Sequence, residues 1–153
     1  NFDVSTNRMR QVVSAKHCAQ AAGLGVIGKN TLLINEDYGN MLWMVVVLTE
    51  LELDADPVIE KDYCKDCTLC VDICPAKATG AVSETGDPTL LQFQCKDYAF
   101  GSVDGGDWRV KCFRCRVVCP FALGKKNKDI QRDPMQIYAG GYMNGAKAPG
   151  VEN

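Results

Sequence analysis

Apolar positions along this chain follow two different periods. Between residues 5 and 22, Met9, Val12, Val13, Ala15 and Ala19 recur at three and four, which predicts a helix; Ser5 or Thr6 caps its start and Gly23 offers a left-handed stop. Two apolar runs follow, 31–34 (TLLI) and 41–48 (MLWMVVVL), which predict strands joined by the turn residues of NEDYGN. The second run is apolar on both faces and predicts a buried central strand. Two strands and one helix make a thin layer, because isolated hairpins are marginal. The core therefore needs completing by the cysteine-rich half, by the tail, or by an amino-terminal portion or partner outside this segment. Residues 50–62 carry six acidic groups against the single Lys61, with Pro57 among them, and predict a solvated linker.

Beyond residue 75 the pattern breaks into short pieces. AKATGAV predicts a short turn of helix or strand and SETGDP a loop, and TLLQFQCKDYAF puts Cys95 behind a brief apolar run. The sixteen residues between Cys95 and Cys112 predict a glycine-bearing excursion. Its aromatics Tyr98, Phe100 and Trp108 are expected to shield a metal site from water, or to cover a neighbouring cofactor. The tail from Asp133 to Asn153, rich in glycine, predicts irregular extended chain.

Composition narrows the class. The 153 residues are 46% apolar and 24% charged with a net charge of -2, ordinary for a soluble globular protein and giving no global field toward nucleic acid or membrane. No apolar run approaches the roughly 20 residues that span a bilayer. No signal-peptide pattern is seen, so a cytoplasmic location is expected, and because the chain starts at Asn1 rather than methionine an upstream targeting signal stays open.

Cysteine spacing carries the chemistry. Cys64, Cys67, Cys70 and Cys74 followed by Pro75 read C-x2-C-x2-C-x3-C-P, a run found in bacterial two-cluster ferredoxins whose fourth cysteine ligates the other cluster. Cys95, Cys112, Cys115 and Cys119 followed by Pro120 repeat the C-x2-C-x3-C-P ending. Three thiolates two residues apart let one loop wrap a cubane while its N–H groups offset the sulfide charge; the fourth faces away, and proline fits the turn behind it. Applied to both sets, the crossing rule gives cluster I as Cys64, Cys67, Cys70 and Cys119, and cluster II as Cys74, Cys95, Cys112 and Cys115. Disulfides would need an oxidising compartment, and structural zinc has no reason for a trailing Cys-Pro, so two 4Fe-4S clusters are the expected cofactors.

Other chemical residues read more plainly. His17, the single histidine, is expected in a surface or capping role, and Cys18 as a small buried hydrophobe. G-L-G-V-I-G at residues 23–28 has the spacing of a dinucleotide fingerprint, yet it follows a helix instead of a strand, so that reading is rejected and a tight turn or close backbone approach expected. Eight basic residues lie between Arg109 and Arg132 against Asp129 alone. They would favour the reduced state of an anionic cluster, dock an acidic electron carrier, or bind RNA.

With these pieces in order, the chain resembles a known family. AAGLGVIGKNTLLINEDYGN, LTELELDADPVI, CKDCTLCVDICPAKA and CFRCRVVCPFALGKKN, together spanning about residues 14–128, are similar to the carboxy-terminal half of the reductive dehalogenase and epoxyqueuosine reductase superfamily. The resemblance implies an α+β fold. A bacterial two-cluster ferredoxin-like domain (60–128) is appended to a partial nitroreductase-like, cobalamin-domain-like α/β segment (1–59), with an irregular carboxy-terminal extension (129–153). It implies that Gly23, Gly25, Gly28 and Asn30 lie on the corrinoid side and that the cluster with Cys95 and Cys112 is nearer the corrin. Met9 and Arg10 stand about where epoxyqueuosine reductases carry an acidic proton donor.

The first functional expectation is an iron-sulfur electron-transfer protein relaying single electrons through two 4Fe-4S clusters to a redox centre, a corrinoid by preference, from a donor such as ferredoxin or flavodoxin. The alternative is a segment of a cobalamin-dependent reductase, dehalogenase-like or epoxyqueuosine reductase-like, with Tyr98, Tyr38 or His17 as local proton-donor candidates. A cluster-bearing RNA-binding or assembly subunit is a third class. A corrinoid-bearing domain or subunit is the expected partner; a membrane span and a nucleic-acid partner are not expected.

Overall fold

The computed structural model describes residues 13–100 and 112–126, together with the backbone of the outer strands at residues 2–3, 8–9, 101–102 and 108–110. In chain order the elements are β1 (Phe2–Asp3), β2 (Arg8–Met9), α1 (Ala15–Ala21), β3 (Val26–Ile27), β4 (Leu33–Ile34), α2 (Leu69–Asp72), β5 (Ala81–Val82), β6 (Pro88–Thr89), α3 (Gln92–Ala99), β7 (Phe100–Ser102), β8 (Trp108–Val110) and α4 (Arg114–Val117). The strands form four separate antiparallel pairs, β1 with β2, β3 with β4, β5 with β6 and β7 with β8. No larger sheet forms among them. Loops and short helices therefore carry the architecture, and among the described residues the buried apolar positions are Ala19, Leu33, Ile34, Cys70, Ala78, Ala99 and Ala122.

Three expectations are corrected. The helix expected over residues 5–22 is confined to Ala15–Ala21, because Arg8 and Met9 already pair as a strand with Asp3 and Phe2. Residues 31–34 do not pair with 41–48. Leu33 and Ile34 instead turn back on Ile27 and Val26 around a tight loop, in which the Gly28 N–H donates to the Leu32 carbonyl and the Thr31 N–H to the Gly28 carbonyl. Thr31 takes a positive φ of 60° there, which only a tight turn demands of a β-branched residue. The apolar run 41–48 is not a buried strand: it has no ladder partner, and Trp43, Val45 and Val47 are 74%, 89% and 81% exposed. Backbone groups of a strand need a neighbour. After the turn at residues 35–39, closed by bonds between Asn35 and Gly39, the Asn40 N–H goes to the carbonyls of Phe121 and Ala122 rather than to a second strand.

The cysteine-rich half follows its internal repeat. α2 begins two residues after Cys67 and α4 two residues after Cys112, each carries the third cysteine of its set (Cys70 and Cys115), and each ends shortly before a Cys-Pro. The two helices pack against each other. The expected loop 83–88 is the turn of the β5–β6 pair, with the Ser83 N–H on the Asp87 carbonyl. The excursion expected between Cys95 and Cys112 is more ordered than a loop: it finishes α3 and continues as the β7–β8 hairpin. The extension 129–153 lies outside the described residues.

Packing crosses the expected boundary at residue 59. A Cβ on Gly28 would press on Ile34 and the Cys64 sulfur, and one on Gly39 would strike the backbone of Phe121 and Ala122. Lys125 and Lys126 pair with Glu36 and Asp37. The turn at 23–40 is thus part of the cysteine half, while residues 41–58 lie exposed beside it.

Candidate metal centres

The thiols divide into two neighbourhoods, each drawn from both repeats. Cys70 feels the charges of Cys64, Cys119 and Cys67, and Cys119 in turn those of Cys64 and Cys67. Cys95 feels Cys74 and Cys112, while Cys115 feels Cys95, Cys112, Cys74 and, more weakly, Cys70. Cys119 therefore sits with the first repeat and Cys74 with the second, and the Cys70–Cys115 approach joins the two neighbourhoods through α2 and α4.

The first neighbourhood lines a small cleft, partly open to solvent, formed by Cys64, Cys67, Cys70, Cys119, Asn30, Ile34, Tyr63, Leu69, Pro120 and Phe121. Tyr63 and Phe121 meet edge to face with centroids 4.8 Å apart and cover this cleft. The Lys29 ammonium donates to the carbonyls of Lys65 at 3.2 Å and Cys67 at 3.0 Å, bringing a cation to the loop that carries three of the thiols. Asn30 is 4% exposed; its Nδ2 donates to the Cys115 carbonyl at 3.1 Å, and its Oδ1 accepts from the Leu32 N–H.

Electrostatics set the demand that any occupant must meet. Burial, followed by the charges of Cys95, Cys112, Cys74 and Cys70, pushes the Cys115 thiol up to about 12. Burial likewise raises Cys70, Cys95 and Cys119, with the neighbouring thiols adding to it. Cys74 goes the other way. Burial opposes its ionisation, but the backbone N–H groups of Ala78, Thr79 and Ala76 around the sulfur hold the thiol below its ordinary value; the Ala78 nitrogen lies 3.3 Å from the sulfur. Thr79 itself is buried and donates to the Cys70 carbonyl at 3.0 Å. Four thiolates in one neighbourhood are stable together only around a cationic core.

Four thiols in each neighbourhood match the ligand count of a cubane. Among the described residues, no three His, Cys, Asp or Glu side chains converge tightly enough for one metal ion. A cubane draws each thiolate to a different iron, so its ligands stand farther apart than those of a tetrahedral zinc.

The residues expected on a corrinoid side pack closely within this segment. A Cβ on Gly23, at φ 71°, would strike the Pro57 carbonyl, and one on Gly25 the Ile34 carbonyl. With Gly28 against Cys64 and Asn30 on Cys115, all four glycine and asparagine positions are filled by the chain's own backbone and thiols. His17 is exposed and shares a 2.6 Å hydrogen bond with Ser14. Cys18 is half-buried. Tyr38 takes Lys126 on its ring face and hydroxyl, and Tyr98 and Phe100 are 48% and 43% exposed. The side chain of Trp108 lies outside the described residues. Of the basic patch, Lys125 and Lys126 are neutralised by Glu36 and Asp37, which weakens it as an RNA surface.

Sequence reasoning missed Tyr63, Phe121, Lys29, Thr79 and Asn40. The signal for the two aromatics was position: Tyr63 directly precedes Cys64, and Phe121 directly follows the second Cys-Pro. Asn40 was hidden inside a stretch whose composition reads simply as turn.

The relatives of this chain are oxidoreductases. In particular, it is similar to proteins named epoxyqueuosine reductase: 36% identical over 116 residues to that of Lactococcus garvieae, covering 69% of this chain and 31% of the relative. The counterpart from Leadbetterella byssophila is 35% identical over 113 residues, 71% of this chain and 37% of the relative. That of Bacillus subtilis is 26% identical over 144 residues, 86% of this chain and 36% of the relative. The chain thus spans about a third of the length of these curated relatives. No family model matches, and no solved structure matches. Among the described residues, no helix is long and apolar enough to cross a membrane.

Proposed function

We propose that this chain is the electron-carrying portion of an epoxyqueuosine reductase-like oxidoreductase, with Cys64, Cys67, Cys70 and Cys119 holding one 4Fe-4S cluster and Cys74, Cys95, Cys112 and Cys115 holding a second. One observation carries the reading: each thiol neighbourhood is assembled from both repeats, as interlocked cubane ligation requires. When bound, such clusters store and pass single electrons, and reduction of an epoxide consumes electrons in pairs.

The comparisons favour the enzyme segment over a free-standing carrier, because the relatives are named as reductases. In this reading the fold is a ferredoxin-like two-cluster unit beside the edge of a larger α/β domain. Its donor is a soluble ferredoxin or flavodoxin. A corrinoid, where the parent protein uses one, belongs to chain outside this segment, and no step is assigned to it here. The residues of this chain do three things: the thiols ligate, the Ala78 and Thr79 donors stabilise the Cys74 thiolate, and Tyr63 and Phe121 restrict water at the first cleft. The Cys70–Cys115 approach across α2 and α4 supplies the short route between the two sites.

The test is anaerobic purification of the full-length gene product with iron, sulfide, cobalt and zinc analysis. The reading expects about eight iron and eight sulfide per chain, and epoxide turnover when a reductant is supplied. About two zinc and no iron would overturn it.

A further inference from the structure

The Asn40 side chain makes an arrangement that the ligand set alone does not require. Asn40 is 1% exposed, and its backbone N–H is already satisfied by the carbonyls of Phe121 and Ala122. Its Nδ2 lies 3.3 Å from the Arg116 carbonyl, and the same amide is within hydrogen-bonding range of the Cys119 sulfur. A carbonyl oxygen only accepts, and so does a ligating thiolate, so both N–H bonds of the amide must point at these two groups and the orientation of the amide is fixed by chemistry. The oxygen is then left over. Asn40 Oδ1 is buried with no hydrogen-bond partner. An orphaned buried acceptor forfeits its hydration without a replacement bond and is a feature that structures avoid unless something is gained.

What is gained lies at the sulfur. Cys119 also receives the Phe121 N–H, so two donors converge on the one ligand of its neighbourhood that arrives from the second repeat. Hydrogen bonds to cluster sulfurs stabilise the more negative, reduced state. Asn30, ten residues earlier, grips the adjacent carbonyl of Cys115. Together the two asparagines hold consecutive carbonyls of α4, the helix that carries Cys115 in the second neighbourhood and leads to Cys119 in the first.

We infer that Asn40 is a positioning residue that seats Cys119 in the first site and, through its N–H on that sulfur, raises the reduction potential of that cluster alone. The inference rests on the two-cluster reading.

The experiment is a potentiometric titration of the anaerobically reconstituted full-length product, followed by EPR, for the wild type and Asn40→Leu, which keeps water out while removing the donor. The cluster bearing Cys119 is identified as the one whose signal changes in Cys119→Ser. Asn40→Leu is expected to move the midpoint of that cluster to more negative potential and leave the other in place. Unmoved midpoints, or movement confined to the other cluster, would overturn the role of Asn40. Should Asn40→Leu fail to retain both clusters, the wild type grown with 15N-asparagine is read by pulsed EPR. Coupling of a side-chain 15N to the reduced cluster is expected, and its absence sinks the inference. A wild-type product that takes up no iron-sulfur cluster removes the two-cluster reading itself, an outcome distinct from the other two.

Discussion

At the scale of single residues, crowded thiols govern how this chain responds to pH. The ordinary thiol value is 9.0, and burial with four neighbouring thiols pushes Cys115 up to about 12 in the fold. A group whose folded value is raised supports folding fully below its unfolded value and loses that support as pH climbs toward the folded one. The metal-free chain should therefore lose stability between about pH 9 and 12, measurable as a falling urea midpoint. Iron loading reverses the sign, since ligation needs the thiolates and releases their protons, so cluster assembly should be favoured as pH rises toward 9 and fail in acid. Cys74 should load with least pH dependence, because Ala78, Thr79 and Ala76 already favour its ionised form. Gly25 gives a prediction free of metal: Gly25→Ala drives a Cβ into the Ile34 carbonyl and should cost roughly 1–3 kcal/mol of unfolding free energy.

At the scale of elements, α2 and α4 decide which thiol goes where. Both are single turns too short to stand alone, so each depends on the other and on the asparagines and Thr79 that hold their carbonyls. Cys74→Ser should disturb the cluster shared with Cys95, Cys112 and Cys115, and Cys119→Ser the one shared with Cys64, Cys67 and Cys70. In each case iron should fall by about half rather than entirely, with the two EPR signatures affected separately. The grouping of thiols across the two repeats was legible in the chain, because the interval between cysteines and the trailing proline are geometric constraints written into sequence. The short strands were not. A two-residue pair such as Val26–Ile27 with Leu33–Ile34 leaves no period to read, and the Gly28–Leu32 turn that sets it is specified by backbone bonds. Asn40 was equally opaque, since nothing in a turn-like composition tells which amide will be buried against a thiol 79 positions along.

At the scale of the whole molecule, the least satisfied feature is the stretch 41–58. The run 41–48 within it was expected as a central strand, yet Trp43, Val45, Val47 and Leu48 lie exposed, as do Leu51 and Leu53 of the linker that follows. Sequence patterning registers what a segment is suited to pack against, whether or not the packing partner belongs to the same segment. The chain spans about a third of its curated relatives, and under the proposed function the cover for this run is the remaining part of such a protein. Hydrogen exchange should find residues 41–48 unprotected in this chain and strongly protected in the full-length product, and the Trp43 emission should shift to the blue. Equal exchange in both would leave the run without a sheet to join.

The central claim, that the two repeats trade their last cysteines around a pair of clusters, is tested most directly by iron anomalous diffraction from anaerobically grown crystals. Two iron-sulfur peaks are expected, one ringed by Cys64, Cys67, Cys70 and Cys119 and the other by Cys74, Cys95, Cys112 and Cys115. A map placing the Cys74 sulfur with Cys64, Cys67 and Cys70, or showing a lone zinc in place of either cluster, would contradict the account.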